Sequence, residues 1–73
     1  MKLEKLQERR KAKGFTRKEL SEFSGVSVST IEFLELGYYD IEQIKLGTLV
    51  KLAKVLHCKI LYLLDDKYRR IIK

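Results

Sequence analysis

The chain has 73 residues, of which 45% are hydrophobic and 36% are charged, and its formal net charge is +6. These proportions favour one compact folded domain and exclude a disordered chain. The single cysteine excludes an internal disulfide, and no apolar run approaches the ~18 residues that a membrane span requires. We therefore expect a soluble, cytoplasmic protein without a signal peptide, whose positive charge favours a polyanion such as nucleic acid.

Apolar residues recur at helical spacing almost throughout the chain, which predicts an all-α fold of five helices. The predicted helices span residues 2–13, 17–23, 28–36, 46–56 and 60–64. The stretch 38–45 between the third and fourth helices is predicted as a structured loop whose apolar residues dock onto the core. We assign residues 1–66 to one domain and residues 67–73 to a basic C-terminal tail.

Local signals mark where the first three helices begin and end. Gly14 suits the residue that ends the first helix. Thr16 is followed three residues later by Glu19, the capping-box pattern that starts a helix. Gly25 can take a positive φ in the next turn, and Ser27 is placed to cap the third helix. Two short helices joined by this turn form a helix-turn-helix, whose second helix enters the DNA major groove.

Seven residues fit, in register, the pattern of the phage repressor and Cro family: Arg17, Leu20, Ser21, Gly25, Val26, Ile31 and Leu34. GFTRKEL at residues 14–20 is similar to that family's GLTQEEL segment, SGVS at 24–27 to its turn, and TLVKLAK at 48–54 to its fourth helix. The sequence thus resembles this family from about residue 3 to residue 64. The resemblance implies a repressor-like regulator of five helices that binds double-stranded DNA, usually as a dimer, through residues 28–36.

The expected DNA contacts fall into two groups. The expected phosphate contacts are Arg17, Lys18, Tyr38, Tyr39 and Lys45. The expected base-facing residues are Ser27, Val28, Ser29, Glu32 and Phe33. The resemblance also implies an internal salt bridge between Arg10 and Glu35, with a phosphate contact as the alternative for Arg10. Leu20, Val26, Ile31 and Leu34 are predicted to lie in the core.

The third helix departs from the family pattern and keeps a second hypothesis open. Its exposed positions lack the Gln, Arg, Lys and Asn side chains that pair with guanine or adenine edges, and Leu36 replaces an Asn. The apolar residues Phe33, Leu36, Tyr38 and Tyr39 could instead bury against a protein. The alternative function is therefore a protein-interaction module, such as an antitoxin or a partner-binding regulator.

Three further features remain open. The basic residues of the first helix are either solvated or face phosphates; they are Lys2, Lys5, Arg9, Lys11 and Lys13. The tail is either disordered, a DNA-contacting arm or part of a homodimer interface. The residues predicted for that interface are Ile60, Leu61, Tyr62, Ile71 and Ile72.

Enzyme chemistry is not expected. The only histidine and the only cysteine are adjacent, His57 and Cys58, and cannot supply a metal cluster or a nucleophile with its base. No glycine-rich phosphate loop is present, so we expect no cofactor. We interpret His57 as a residue at a helix C-terminus and Cys58 as a buried thiol.

Overall fold

The computed structural model describes residues 3–39 and 43–63, with Leu61 described through its backbone only. Its helices are α1 (Glu4–Ala12), α2 (Arg17–Ser24), α3 (Val28–Leu36) and α4 (Leu46–Leu56), followed by a 3-10 turn, Ile60–Leu63. These residues include no strand, so the predicted all-α class is confirmed. The predicted fifth α-helix is not: residues 60–63 form a single 3-10 turn.

Several sequence predictions lie outside the described residues. They concern Lys2, the loop positions 40–42, the domain boundary at residue 66 and the tail 67–73.

The helix boundaries follow the predicted local signals. Thr16 Oγ1 accepts a hydrogen bond from the Glu19 backbone N–H at 3.1 Å, and the Thr16 N–H donates to Glu19 Oε1 at 3.0 Å. This reciprocal capping box satisfies backbone groups that α2 would otherwise leave unpaired. Gly25 ends α2 with a φ of 77°, a conformation that side chains disfavour, and Ser27 caps α3.

One hydrophobic core joins the four helices. Its fully or nearly fully buried residues are Leu3, Leu6, Leu20, Val26, Ile31, Leu34, Leu49, Leu52, Ala53, Leu56 and Leu63. The four predicted core positions between residues 20 and 34 are all among them. The Leu3 N–H donates to the Leu34 carbonyl at 3.0 Å, which fixes the start of α1 against α3. Tyr39 and Ile44 pack against the core, as predicted for that loop.

Two apolar residues, Phe23 and Ile60, differ from expectation in how far they are buried. Phe23 continues the apolar pattern of α2, yet it is 63% exposed and packs on Phe15, with ring centroids 5.3 Å apart. Ile60 was predicted to be exposed, but it is half-buried against the core. The 3-10 turn places it inward because α4 ends four residues earlier, at Leu56, and the chain then packs against α1.

Arg9 joins α1 to the end of α4, a role that neither open interpretation of the basic helix face included. Its Nε donates to the Leu56 carbonyl at 3.1 Å and its Nη2 to the His57 carbonyl at 3.3 Å. A cation on these last carbonyls also interacts favourably with the α4 dipole. Arg9 and Lys5 additionally lie over the Tyr62 ring, at 5.9 and 5.3 Å from its centroid. Tyr62 is therefore partly covered by its own chain.

Candidate nucleic-acid interface

The turn between α2 and α3 sets their relative placement. The Gly25 N–H donates to the Ser21 carbonyl at 2.9 Å, and the Val26 N–H donates to Ser24 Oγ at 3.2 Å. Val26 is buried, so the turn is anchored in the core while the start of α3 reaches the surface. This arrangement presents α3 on one side of the molecule.

Arg17 and Lys18 are the first two residues of α2. Lys18 is exposed, whereas the Arg17 side chain is 31% exposed because it lies against α3. Arg17 Nε donates to Glu35 Oε1 at 3.1 Å. Among the described residues this is the only hydrogen bond of the Arg17 side chain, so its two Nη groups make none.

Glu35 is fully buried and binds two arginines. Arg10 Nε donates to Glu35 Oε2 at 2.8 Å and Arg10 Nη2 donates to Oε1 at 3.1 Å, which is a bidentate pair. Arg10 Nη1 also donates to the Phe15 carbonyl at 2.7 Å. The internal salt bridge is thus confirmed, and all three guanidinium nitrogens of the buried Arg10 are hydrogen-bonded within the chain. The sequence did not predict the additional bond from Arg17.

One face of α3 is open to solvent, and we call it the open face. It consists of Val28, Ser29, Glu32, Phe33 and Leu36, which at about 100° per residue lie within an arc of about 140°. Val28, Phe33 and Leu36 are 38%, 37% and 42% exposed. Four of the five predicted base-facing residues therefore share one surface.

Ser27 is the fifth predicted base-facing residue and its hydroxyl has a structural task. Its Oγ accepts from the Thr30 backbone N–H at 3.2 Å and donates to Thr30 Oγ1 at 2.8 Å. Since this hydroxyl proton is used within the chain, Ser27 retains only acceptor capacity towards a ligand.

An aromatic cluster extends the open face beyond the end of α3. Tyr38 and Tyr39 each pack edge-to-face on Phe33, with ring centroids at 5.4 and 5.7 Å. Tyr38 is exposed, whereas Tyr39 is half-buried against the core. Gly37 allows this contact, because its φ of 84° ends α3 and turns the chain back. The structure thus joins a predicted base-facing residue to two predicted phosphate contacts.

Lys45, the last of the predicted phosphate contacts, lies at the start of α4. It is exposed and occupies the N-cap position, where its side chain makes no capping hydrogen bond. A cavity of about 330 Å³ separates α3 from this end of α4, lined in part by Thr30, Tyr39 and Lys45.

The described residues bear on the predictions about metal ligands, a membrane span, Cys58 and His57. No three metal-ligating side chains cluster among them, and none of their helices is long and apolar enough to cross a membrane. Burial raises the pKa of the Cys58 thiol, although Arg9 and Lys13 act in the opposite direction. Cys58 is only half-buried, and His57 ends α4 as predicted.

The comparisons with known proteins agree with this geometry. A family model described as helix-turn-helix matches residues 6–63, which include all of α2, α3 and α4. No curated protein and no solved structure gives a match. Because the family model covers most of the chain and the turn between α2 and α3 has the required geometry, the chain belongs to the helix-turn-helix family, of the phage repressor and Cro type.

Proposed function

We propose that the chain is a repressor-like transcriptional regulator that inserts α3 into the major groove of double-stranded DNA. The observation that carries this proposal is the open face of α3, presented by a capped helix-turn-helix in a member of that family. The net charge of +6 favours association with DNA through its phosphates.

Phosphate contacts in this proposal come from both sides of α3. Arg17 and Lys18 lie at the N-terminus of α2, where backbone N–H groups also favour an anion. Arg17 would use its Nη groups, because its Nε is bound to Glu35. Tyr38, Tyr39 and Lys45 follow α3 and would contact the backbone beyond it.

Base contacts come from the open face, with Ser27 contributing at most an acceptor. The short recognition helix offers few strong hydrogen-bonding groups, so we propose that a homodimer doubles the contacts on a two-fold operator. We also propose a cytoplasmic location, because the reducing cytoplasm keeps a thiol such as that of Cys58 free.

Selection of bound duplexes from a random pool, followed by sequencing, tests this function. We expect an enriched motif with two half-sites about 34 Å apart, and a steep decrease of log K with log salt. Recovery of the unselected base composition, together with an affinity independent of salt, would contradict DNA binding.

The second candidate is a protein-interaction module on the same fold. The observation that favours it is the aromatic cluster of Phe33, Tyr38 and Tyr39, which continues through Leu36 as an apolar surface. Under this candidate Phe33→Ala weakens binding to a protein partner and leaves any weak DNA binding unchanged. The same salt titration separates the two candidates, because apolar contacts release no counterions.

A further inference from the structure

The open face of α3 has an unusual chemical composition for a surface that meets DNA. Three of its five side chains are apolar, Glu32 can only accept a hydrogen bond as a carboxylate, and the Ser29 hydroxyl is its sole donor. A guanine edge presents two acceptors in the major groove and so finds little to pair with here. Pyrimidine edges fit better, since they present a methyl group in thymine and an amino donor in cytosine.

Phe33 is the residue best prepared for an apolar contact. Tyr38 and Tyr39 hold its ring edge-to-face at 5.4 and 5.7 Å, while about a third of the residue stays exposed. A ring fixed in this way loses little side-chain entropy on contact with a ligand. Val28 lies on the same face nearer the start of the helix, where recognition helices contact base edges.

Given the proposed DNA binding, on which this step rests, we infer that Phe33 and Val28 read the C5-methyl groups of pyrimidines in the major groove. The methyl group belongs to thymine or to 5-methylcytosine. Glu32, one turn from Val28, would accept from a neighbouring cytosine amino group. Specificity then depends on shape and methyl burial rather than on bidentate hydrogen bonds.

Removal of the methyl group alone tests this inference on the full chain. Operators selected from the random pool are resynthesised with each thymine replaced by deoxyuridine, which keeps every hydrogen-bonding group. We expect about fourfold weaker binding for each contacted methyl, from the value of ~0.8 kcal/mol per buried carbon group. A parallel set replaces cytosines with 5-methylcytosine, for which about fourfold tighter binding assigns the methyl to that base.

Variants connect the effect to the named residues. Phe33→Ala should abolish the difference between thymine and deoxyuridine at one position of each half-site. Phe23→Ala is the matched control, because Phe23 is also an exposed phenylalanine but lies on α2 against Phe15. Circular dichroism tests whether both variants remain folded, and the base substitutions are measured on the unaltered protein, so they need no variant.

The possible outcomes distinguish a failure of methyl readout from a failure of the proposed DNA binding. An operator motif whose affinity is insensitive to both base changes overturns methyl readout and leaves DNA regulation intact. Absence of any motif overturns both. If the Phe33→Ala variant keeps the full methyl dependence, Phe33 does not read the methyl group. That result would favour a protein partner for the aromatic cluster.

Discussion

At the scale of single residues, the ion pairs of Arg10 and Arg17 with Glu35 connect α1, α2 and α3. Arg10 belongs to α1, Arg17 to α2 and Glu35 to α3, and the carboxylate is fully buried. The formal charge of the three side chains is +1, so one cationic charge remains at the protein surface. That remaining charge is the one that Arg17 presents towards a phosphate in our proposal.

We expect Glu35→Ala to lower the free energy of unfolding by about 3–5 kcal/mol, because it leaves the buried Arg10 without a counter-charge. Chemical denaturation measures this loss. Glu32→Ala is the control, since Glu32 lies on the open face of the same helix and should change stability by less than ~1 kcal/mol. A loss below ~1 kcal/mol for Glu35→Ala would contradict a structural role for the pair.

His57 is a non-glycine residue in the left-handed region, with φ 54° and ψ 47° at the end of α4. We expect His57→Gly to stabilise the protein by about 0.5–1 kcal/mol, because glycine adopts this conformation without steric cost. Thermal or chemical denaturation provides the measurement.

The reverse change gives a control at the end of α2. Gly25 has a φ of 77°, and a Cβ built there meets nothing within 4 Å, so Gly25→Ala should destabilise by about 1 kcal/mol through backbone strain alone. Equal stability of His57→Gly and the parent chain would show that α4 ends without strain.

At the scale of elements, our proposal assigns the positioning of the protein on DNA to α2 and the reading of bases to α3. The α2 N-terminus carries two cations, Arg17 and Lys18, which favour a phosphate contact, while the capping box fixes the first turn that holds them. The open face of α3 carries no cation, so in this proposal it contacts base edges rather than phosphates. Loss of a positioning contact should therefore weaken all duplexes alike, whereas loss of a reading contact should be selective.

We expect Arg17→Ala to weaken binding to all duplexes about equally and to reduce the salt slope by about one unit. Stability should fall by less than ~1 kcal/mol, because Glu35 keeps its bidentate partner Arg10. Fluorescence anisotropy at several salt concentrations gives the slope. Lys54→Ala, at the opposite end of α4 from Lys45, should leave it unchanged. A sequence-selective loss in Arg17→Ala would assign this residue to base readout.

At the scale of the whole molecule, the contacts of the 3-10 turn bear on where a homodimer interface could lie. Ile60 packs on the core, and Lys5 and Arg9 lie over the Tyr62 ring. Two of the five residues predicted for an interface, Ile60 and Tyr62, thus already make contacts within the chain. Of the other three predicted interface residues, Leu61 is described through its backbone only, and Ile71 and Ile72 lie outside the described residues, in the tail 67–73.

We predict a concentration-dependent homodimer that deletion of residues 67–73 weakens, together with operator binding. The fold should persist, because every described core residue lies at or before Leu63. Sedimentation of the full and shortened chains, with and without DNA, gives the stoichiometry. Monomers at high concentration with one protein per duplex would refute the dimer, while equal dimerisation of both chains would place the interface elsewhere.

The sequence by itself determined the four α-helices. The bounds of α3 and α4 agree with prediction, and those of α1 and α2 differ by one or two residues, because caps and apolar periodicity act over only a few positions. The family pattern was likewise readable, since its buried positions and turn glycine are fixed by one backbone geometry.

Only the tertiary structure decided which polar and aromatic side chains are already engaged. Arg17 is 18 residues from Glu35, and Arg9 is 47 residues from Leu56, so no local spacing joins them. Ser27 could equally have capped a helix or read a base, and Phe23 could have entered the core. Hydrogen bonds and packing between distant segments resolve such choices, because a long side chain binds whichever partner the fold brings within reach.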